Sequence, residues 1–218
     1  MSGRLALAVL ASGEGTTLDA LAEAISGGHL PARIVLVVSD RADAGAIERA
    51  RRRGLATAIV PYRASDPTGW GDELTRLLRH FGTELVVLAG FLAILPPEWV
   101  HSWEGRAINL HPSLLPRYGG RGMYGAKVHA EVLKNRDGET GVTVHLVTQD
   151  IDRGPALLQR RVPVLSTDTP DTLRERLRPV EHDALVDVIR RFADGRFPLP
   201  YPQSDERAPS RESRRSAR

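Results

Sequence analysis

The sequence predicts an α/β protein with a mostly parallel central sheet and helices on both of its faces. Three observations carry that expectation. Residues 5–11 and 85–89 are continuous apolar runs, the pattern of strands buried on both faces rather than one. Such runs alternate with helical periodicity over residues 18–25, 43–53 and 68–81, and βαβ units with right-handed crossovers produce that alternation. Gly13 and Gly15 stand between the first run and the first helical segment, where glycine lets a strand turn tightly into a helix.

The elements follow in order. After the strand at residues 5–11, the helix over 18–25 is ended by Gly27-Gly28. Residues 33–39 form a second strand, and the helix over 43–53 takes Asp43 as its cap and Gly54 as its stop. Residues 56–60 make a third strand closed by Pro61, residues 68–81 an amphipathic helix, and residues 85–89 a fourth strand. The apolar stretch from Leu85 runs on to Leu95 and stops at Pro96-Pro97, too short to span a bilayer. Residues 107–111 are a fifth strand, ended because Pro112 and Pro116 lack backbone donors. Beyond it come a loop with four glycines over 119–125, a helix over 126–134, a turn at 135–138, a strand over 141–147, a loop over 148–155 and a strand over 156–164. Residues 169–192 are a long helical stretch that Pro179 is expected to kink or divide.

Composition narrows the class. The chain has 218 residues, 41% hydrophobic and 26% charged, which suits one soluble domain with a sizeable core. It has no cysteine, so disulfides and thiolate metal sites are excluded and a cytoplasmic location is natural. Residues 204–218 hold five arginines against three acids. We read residues 1–202 as a single domain and residues 203–218 as a disordered basic tail. Only 5% of residues are aromatic, which argues against nucleic-acid binding. Arg4 and the apolar run after it resemble a short secretion signal, but the run passes directly into a glycine loop and helix, so a first strand explains it better.

Three places could carry chemistry. Asn109 and His111 lie two apart on the fifth strand and share a face, at the strand end where open α/β sheets bind ligands. An amide can donate to a developing negative charge and an imidazole can move a proton near neutral pH; the alternative is turn chemistry alone. The loop Ser12-Gly-Glu-Gly-Thr-Thr17 before a helix is either a phosphate site or a plain turn with threonine caps. It is neither the dinucleotide fingerprint nor a P-loop. Thr148 to Pro155 contains Asp150 and Asp152, readable as a turn, a cation site or a catalytic carboxylate, with too few regular ligands for a metal. His145 alternates with Thr143, so both line the side of Asn109 and His111 if their strands adjoin.

Taken together, these pieces resemble the phosphoribosylglycinamide formyltransferases, folate-dependent enzymes of purine synthesis. The similarity runs from about Leu5 to Gly195. It rests on Ala11-Ser-Gly-Glu-Gly-Thr-Thr-Leu18, Val87-Leu-Ala-Gly-Phe-Leu-Ala-Ile-Leu95, Asn109-Leu-His-Pro-Ser-Leu-Leu-Pro116 and Gly141-Val-Thr-Val-His-Leu-Val-Thr-Gln-Asp-Ile-Asp-Arg-Gly154. The resemblance implies a Rossmann-like formyltransferase fold, with a phosphate-binding half at about 1–105 and a folate and catalytic half at about 106–202. It implies formyl transfer from 10-formyltetrahydrofolate, a co-substrate, to the amine of glycinamide ribonucleotide, with no metal. Asn109, His111 and Asp152 would be the catalytic triad. Asp152 would favour the charged form of His111 and hold a proton-shuttling water. Gly15, Thr16 and Thr17 would take the phosphate, and Glu181 would contact the glycinamide end. The folate would lie against Leu92, Ala93, Ile94, Leu95, Asn109, Thr148 and Asp150. Small molecules would be the partners, with no membrane or nucleic acid, and the protein would be a monomer or homodimer.

The chain departs from the family pattern at three points. Thr16-Thr17 stand where Ser-Asn is common, Ala93 where a basic residue is common, and Pro67 near the place of an arginine that assists folate binding. Arg63 lies close in sequence and is the candidate substitute. Within the same superfamily, a methionyl-tRNA formyltransferase would need a substantial C-terminal domain, a formyltetrahydrofolate deformylase would carry a regulatory domain before the first strand, and a sugar formyltransferase would not need the phosphate loop. From another class, a non-catalytic nucleotide-binding module would leave Asn109, His111 and Asp152 apart.

Overall fold

The computed structural model describes residues 3–202 and contains a seven-stranded sheet in the order β3-β2-β1-β4-β5-β6-β7. The strands are β1 (Leu5–Leu10), β2 (Ala32–Ser39), β3 (Thr57–Ile59), β4 (Leu85–Leu88), β5 (Ala107–His111), β6 (Glu139–Leu146) and β7 (Ala156–Pro163). Those from β3 to β5 in the sheet order are parallel, and β6 runs antiparallel to both of its neighbours, β5 and β7. The mostly parallel sheet of the sequence reading is therefore present. The expected tail at 203–218 lies outside the described residues.

The helices are α1 (Thr16–Ser26), α2 (Gly45–Arg52), α3 (Pro67–His80), α4 (Pro97–Ser102), α5 (Ala126–Lys134) and α6 (Pro170–Ala193). They cover both faces because the strands send apolar side chains both ways. Leu5, Leu7 and Val9 of β1 pack with Leu18, Ile47, Val132 and the buried residues of α6, whereas Ala8 and Leu10 pack with Trp70 and Leu74 of α3 and Trp99 of α4. Such two-sided burial makes the strand read as one apolar run. The outer strand β7 instead exposes Gln159, Arg160 and Arg161, and charge on an edge strand discourages pairing with another chain.

Three local expectations needed correction. Asp43 does not cap α2: Ala44 holds the cap position without a side-chain bond, and the Asp43 carboxylate pairs with Arg41 at 3.1 Å. Pro179 does not divide the last helix, which runs unbroken over 24 residues. Leu173 and Leu177 before it and Leu185, Val188 and Ile189 after it enter one core cluster, and that burial outweighs the cost of about 3 kcal/mol for an interior proline. The six-residue α4 begins at Pro97, where the sequence suggested only the end of an apolar run. Proline opens it because the first turn has no use for its missing N–H.

This topology fixes where a ligand can sit. β1 pairs with β2 on one side and β4 on the other, so the crossovers reverse direction there. The loops leaving β1 and β4 splay apart to form a crevice at the carboxyl ends of the strands. Among the described residues, no helix is long and apolar enough to cross a membrane.

Candidate active site

The crevice is a cleft of about 710 Å³ lined by the loop after β1, the loop after β4, a polar wall from β5, β6 and the segment after β6, and, opposite these, the glycine loop before α5 with His129 of α5 and Arg174 and Glu181 of α6. Each group is held by an identifiable constraint.

In the first loop, Gly15 adopts φ 80, and a Cβ there would lie 2.6 Å from Ala46 Cα. Only glycine meets both conditions. Gly15 caps α1 with no side-chain bond, so the first N–H groups of the helix have no side-chain partner from the cap, and Gly15, Thr16 and Thr17 line the cleft, a favourable place for an anion. Ser12 joins this loop to the one after β4. Its backbone N–H donates to the Gly90 carbonyl at 3.1 Å, and its hydroxyl accepts from Leu92 N–H at 2.8 Å. Leu92 and Ile94 of that second loop are 44% and 41% exposed although apolar. With Ala93 and Leu95 they give the cleft an apolar wall.

The polar wall follows from strand register. Asn109 on β5 pairs with His145 on β6, and His111 pairs with Thr143. All four side chains face away from Ile108, Leu110, Val142 and Val144, which enter the core. Thr143 anchors the chain leaving β5: its hydroxyl donates to the Ser113 carbonyl at 2.6 Å and accepts from Leu115 N–H at 3.1 Å. Further along, Tyr118 is fixed by its hydroxyl, which donates to Asp137 at 2.7 Å. The Tyr118 carbonyl then accepts from His111 Nε2 at 2.7 Å. That bond places the proton of a neutral His111 on Nε2 and leaves Nδ1 with a lone pair.

Asp152 reaches the same wall from the loop after β6. It adopts φ 57, a left-handed conformation that aspartate tolerates better than most residues. Its carboxylate accepts from Gly120 N–H at 2.9 Å and lies 3.5 Å from His111 Nδ1. Asn109 Nδ2 lies 3.1 Å from His145 Nε2 and 3.4 Å from Asp152 Oδ1. His145 Nδ1 faces the Leu146 carbonyl at 2.9 Å and must donate to it, so in the neutral ring Nε2 is an acceptor. Asn109 therefore turns its NH₂ group toward His145 and Asp152. The 3.6 Å between His145 Nε2 and Asp152 Oδ1 is too long to compete with this arrangement.

The electrostatics separate the roles further. Burial lowers the His111 pKa below the ordinary 6.5, although Asp152 and the Tyr118 carbonyl pull upward and His145 adds to the lowering. Asp152 does favour the charged form of His111, but desolvation outweighs that attraction, so the net shift is downward and favours the neutral ring. Burial would by itself raise Asp152, but its polar neighbours, the His111 ring and the Gly120 N–H among them, hold it below the ordinary carboxylate value. Across the cleft, burial raises Glu181 on α6 to about 7, opposed by Arg178 and Arg174.

Thus the structure gathers Asn109, His111, Asp152, Gly15, Thr16, Thr17, Glu181, Leu92, Ala93, Ile94, Leu95 and Thr148 on one cleft. Two candidates are elsewhere. Arg63 points away to an ion pair with Glu73 at 2.8 Å, while Pro67 opens α3. Asp150 is exposed, and its carbonyl accepts from the Thr148 hydroxyl at 3.0 Å. Neither lines the cleft. Sequence reasoning missed Arg174, which does. The signal was its spacing: seven residues before Glu181, it falls on the same face of α6.

The chain matches the formyl transferase family model over residues 5–189. It belongs to the formyl transferase family. Formyl transferase relatives cover most of the chain. It is 39% identical to the phosphoribosylglycinamide formyltransferase of Escherichia coli (strain K12) over 194 residues, 88% of this chain and 89% of that one. The solved phosphoribosylglycinamide formyltransferase of Coxiella burnetii superposes with a TM-score of 0.82 at 40% identity, covering 88% of each chain. A formyltetrahydrofolate deformylase from Burkholderia mallei superposes with a TM-score of 0.80 at 28% identity, covering 91% of this chain and 68% of that one.

Proposed function

We propose that the chain transfers a formyl group from 10-formyltetrahydrofolate to the amine of phosphoribosylglycinamide, yielding formylglycinamide ribonucleotide and tetrahydrofolate in purine biosynthesis. One observation carries this reading beyond the family: a single cleft joins an anion-receptive helix start at Gly15–Thr17 to the Asn109, His111 and Asp152 cluster. A phosphorylated amine bridges those two ends, whereas hydrolysis of the formyl folate has no need of the first.

The residues divide the work. Gly15, Thr16 and Thr17 bind the phosphate. Glu181 receives the glycinamide end. The apolar wall from Leu92 to Leu95 fits a flat heterocycle, and backbone groups there and at Thr148 supply its hydrogen bonds. Addition of the amine to the formyl carbon places negative charge on the formyl oxygen. Asn109 Nδ2 donates to that oxygen, trading its long 3.4 Å contact with Asp152 for a stronger acceptor. Neutral His111 offers Nδ1 as the base for the amine proton. Asp152, 3.5 Å away, stabilises the imidazolium so formed, directly or through one water, and when the oxyanion collapses the formyl carbon–N10 bond breaks and N10 takes up that proton, so that tetrahydrofolate leaves.

The test is direct. Purified protein given phosphoribosylglycinamide and 10-formyltetrahydrofolate is expected to release tetrahydrofolate in step with formylated product. Equal release without the ribonucleotide would instead mark a hydrolase, and no turnover with both substrates would refute the assignment.

A further inference from the structure

We propose that Arg174 is the side-chain cation for the substrate phosphate, and that Glu14 holds it over the glycine loop as a stand-in anion until the phosphate arrives. The inference rests on the phosphate subsite of the proposed function. The Thr16-Thr17 pair offers short hydroxyls beside the α1 N–H groups and no positive charge. Other arginines near the loop are already engaged: Arg49 and Arg53 both pair with Asp19, and Arg49 also donates to the Glu14 carbonyl at 2.7 Å. Arg174 lines the cleft and approaches the Glu14 carboxylate at 3.6 Å, with side chains 41% and 68% exposed. That contact is Coulombic and too long for a good hydrogen bond, so it is worth little and exchanges readily. A phosphate carries more charge and accepts two parallel bonds from a guanidinium, which favours the exchange.

The placement along α6 supports the same role. Arg174 and Glu181 lie seven residues apart on one helical face, about 10 Å along the axis, and both line the cleft. That separation is of the same order as the reach from a 5′-phosphate to the glycyl amine. One helix face thus grips both ends of the substrate. The charge of Arg174 is felt inside the cleft, where it helps lower His129 and opposes the rise of Glu181.

Three variants and inorganic phosphate provide the test. Arg174→Met is expected to raise KM for the ribonucleotide by about 10- to 100-fold. The inhibition constant of inorganic phosphate should rise in parallel, with kcat changing less than about threefold and KM for the folate unmoved. Arg174→Lys should recover part of the loss. Glu14→Gln removes the competing anion, so both constants should fall by about two- to fivefold. A ribonucleotide KM within about twofold of wild type for Arg174→Met, or a rise for Glu14→Gln, overturns the proposal. Absence of turnover by the wild type refutes the parent reading alone. Calorimetry with ribose 5-phosphate then decides Arg174: loss of binding in Arg174→Met upholds its role, and equal affinity ends it.

Discussion

Replacing Asp152 with asparagine tests how the polar wall works. The substitution keeps size and an acceptor for Gly120 N–H, now held at 2.9 Å, so the loop should keep its shape. It removes the negative charge 3.5 Å from His111 Nδ1. At such a separation two unit charges attract by about 5 kcal/mol at an effective dielectric of about 20, a ceiling on what imidazolium formation loses. The expected fall in kcat is therefore on the order of 10²- to 10³-fold. The pH profile should move as well. Asp152 pulls the His111 pKa upward against burial, so without it the acid limb of kcat/KM shifts to lower pH. Stopped-flow single turnovers across pH 5 to 8, with folate binding followed by fluorescence, separate chemistry from binding; the pH window spans the ordinary imidazole value of about 6.5. A loss of kcat below about threefold, or an acid limb that moves upward, would remove Asp152 from the proton path.

Other outcomes follow from the same geometry. Ile94 is 41% exposed in the cleft, and covering that fraction of an isoleucine is worth about 1 kcal/mol. Ile94→Ala should therefore raise KM for the folate by about fivefold and leave KM for the ribonucleotide alone; equal effects on both would place the folate elsewhere. A Cβ at Gly154 would lie 1.9 Å from the Leu146 carbonyl oxygen, so Gly154→Ala should cost about 3 kcal/mol or more in a urea melt. A loss under about 1 kcal/mol would show that the loop carrying Asp152 adapts easily. Glu181 and His129 should give opposite pH slopes of stability. Glu181 is raised from 4.5 to about 7, so its contribution is complete below 4.5 and is lost as pH rises through about 7. Burial first, then Arg174 and His111, lower His129 from 6.5 to about 4, so its contribution is present above 6.5 and is lost as pH falls to about 4. Subtracting the urea stabilities of Glu181→Gln and His129→Gln from that of the wild type between pH 4.5 and 7.5 should reveal the two slopes, and slopes of the same sign would contradict the assignment.

The sheet was legible because parallel strands covered on both sides leave an uninterrupted apolar signature, and β1 and β4 carry it plainly. The fifth strand was legible for another reason: two prolines end it just where the polar pair emerges. α4 was not, since six residues make fewer than two turns and display no period. The cap of α2 was misplaced because Asp43 has a nearer partner in Arg41, and local charge competes with capping in a way that residue type does not reveal. The likeness of His145 to Asn109 and His111 in facing was foreseeable from alternation, but their contact needed the antiparallel register of β5 and β6. Arg63 shows the opposite failure. It is near Pro67 in sequence, but its charge is spent on Glu73, and sequence proximity says nothing about which partner a flexible guanidinium finds.

The polar wall also explains why a neutral histidine and a charged aspartate belong together. A histidine ionised by Asp152 at rest could not accept the amine proton, and a protonated Asp152 could not reward its arrival. Burial lowers His111 and so suits it to the proposed role of base, while polar neighbours hold Asp152 below the ordinary carboxylate range in the same buried setting. In the proposed mechanism the attraction between them is realised in full only once Nδ1 gains a proton, which is the moment at which that reaction needs it. Asn109 obeys the same logic. His145 holds one end of its amide in place by donating elsewhere, to the Leu146 carbonyl, so the weak contact to Asp152 is the one free to be exchanged. Each group is thus fixed by one short bond, His111 to the Tyr118 carbonyl, Asp152 to the Gly120 N–H and Asn109 to His145, and keeps a longer contact that the proposed substrate can replace. Interactions of that kind favour the transition state over the resting site.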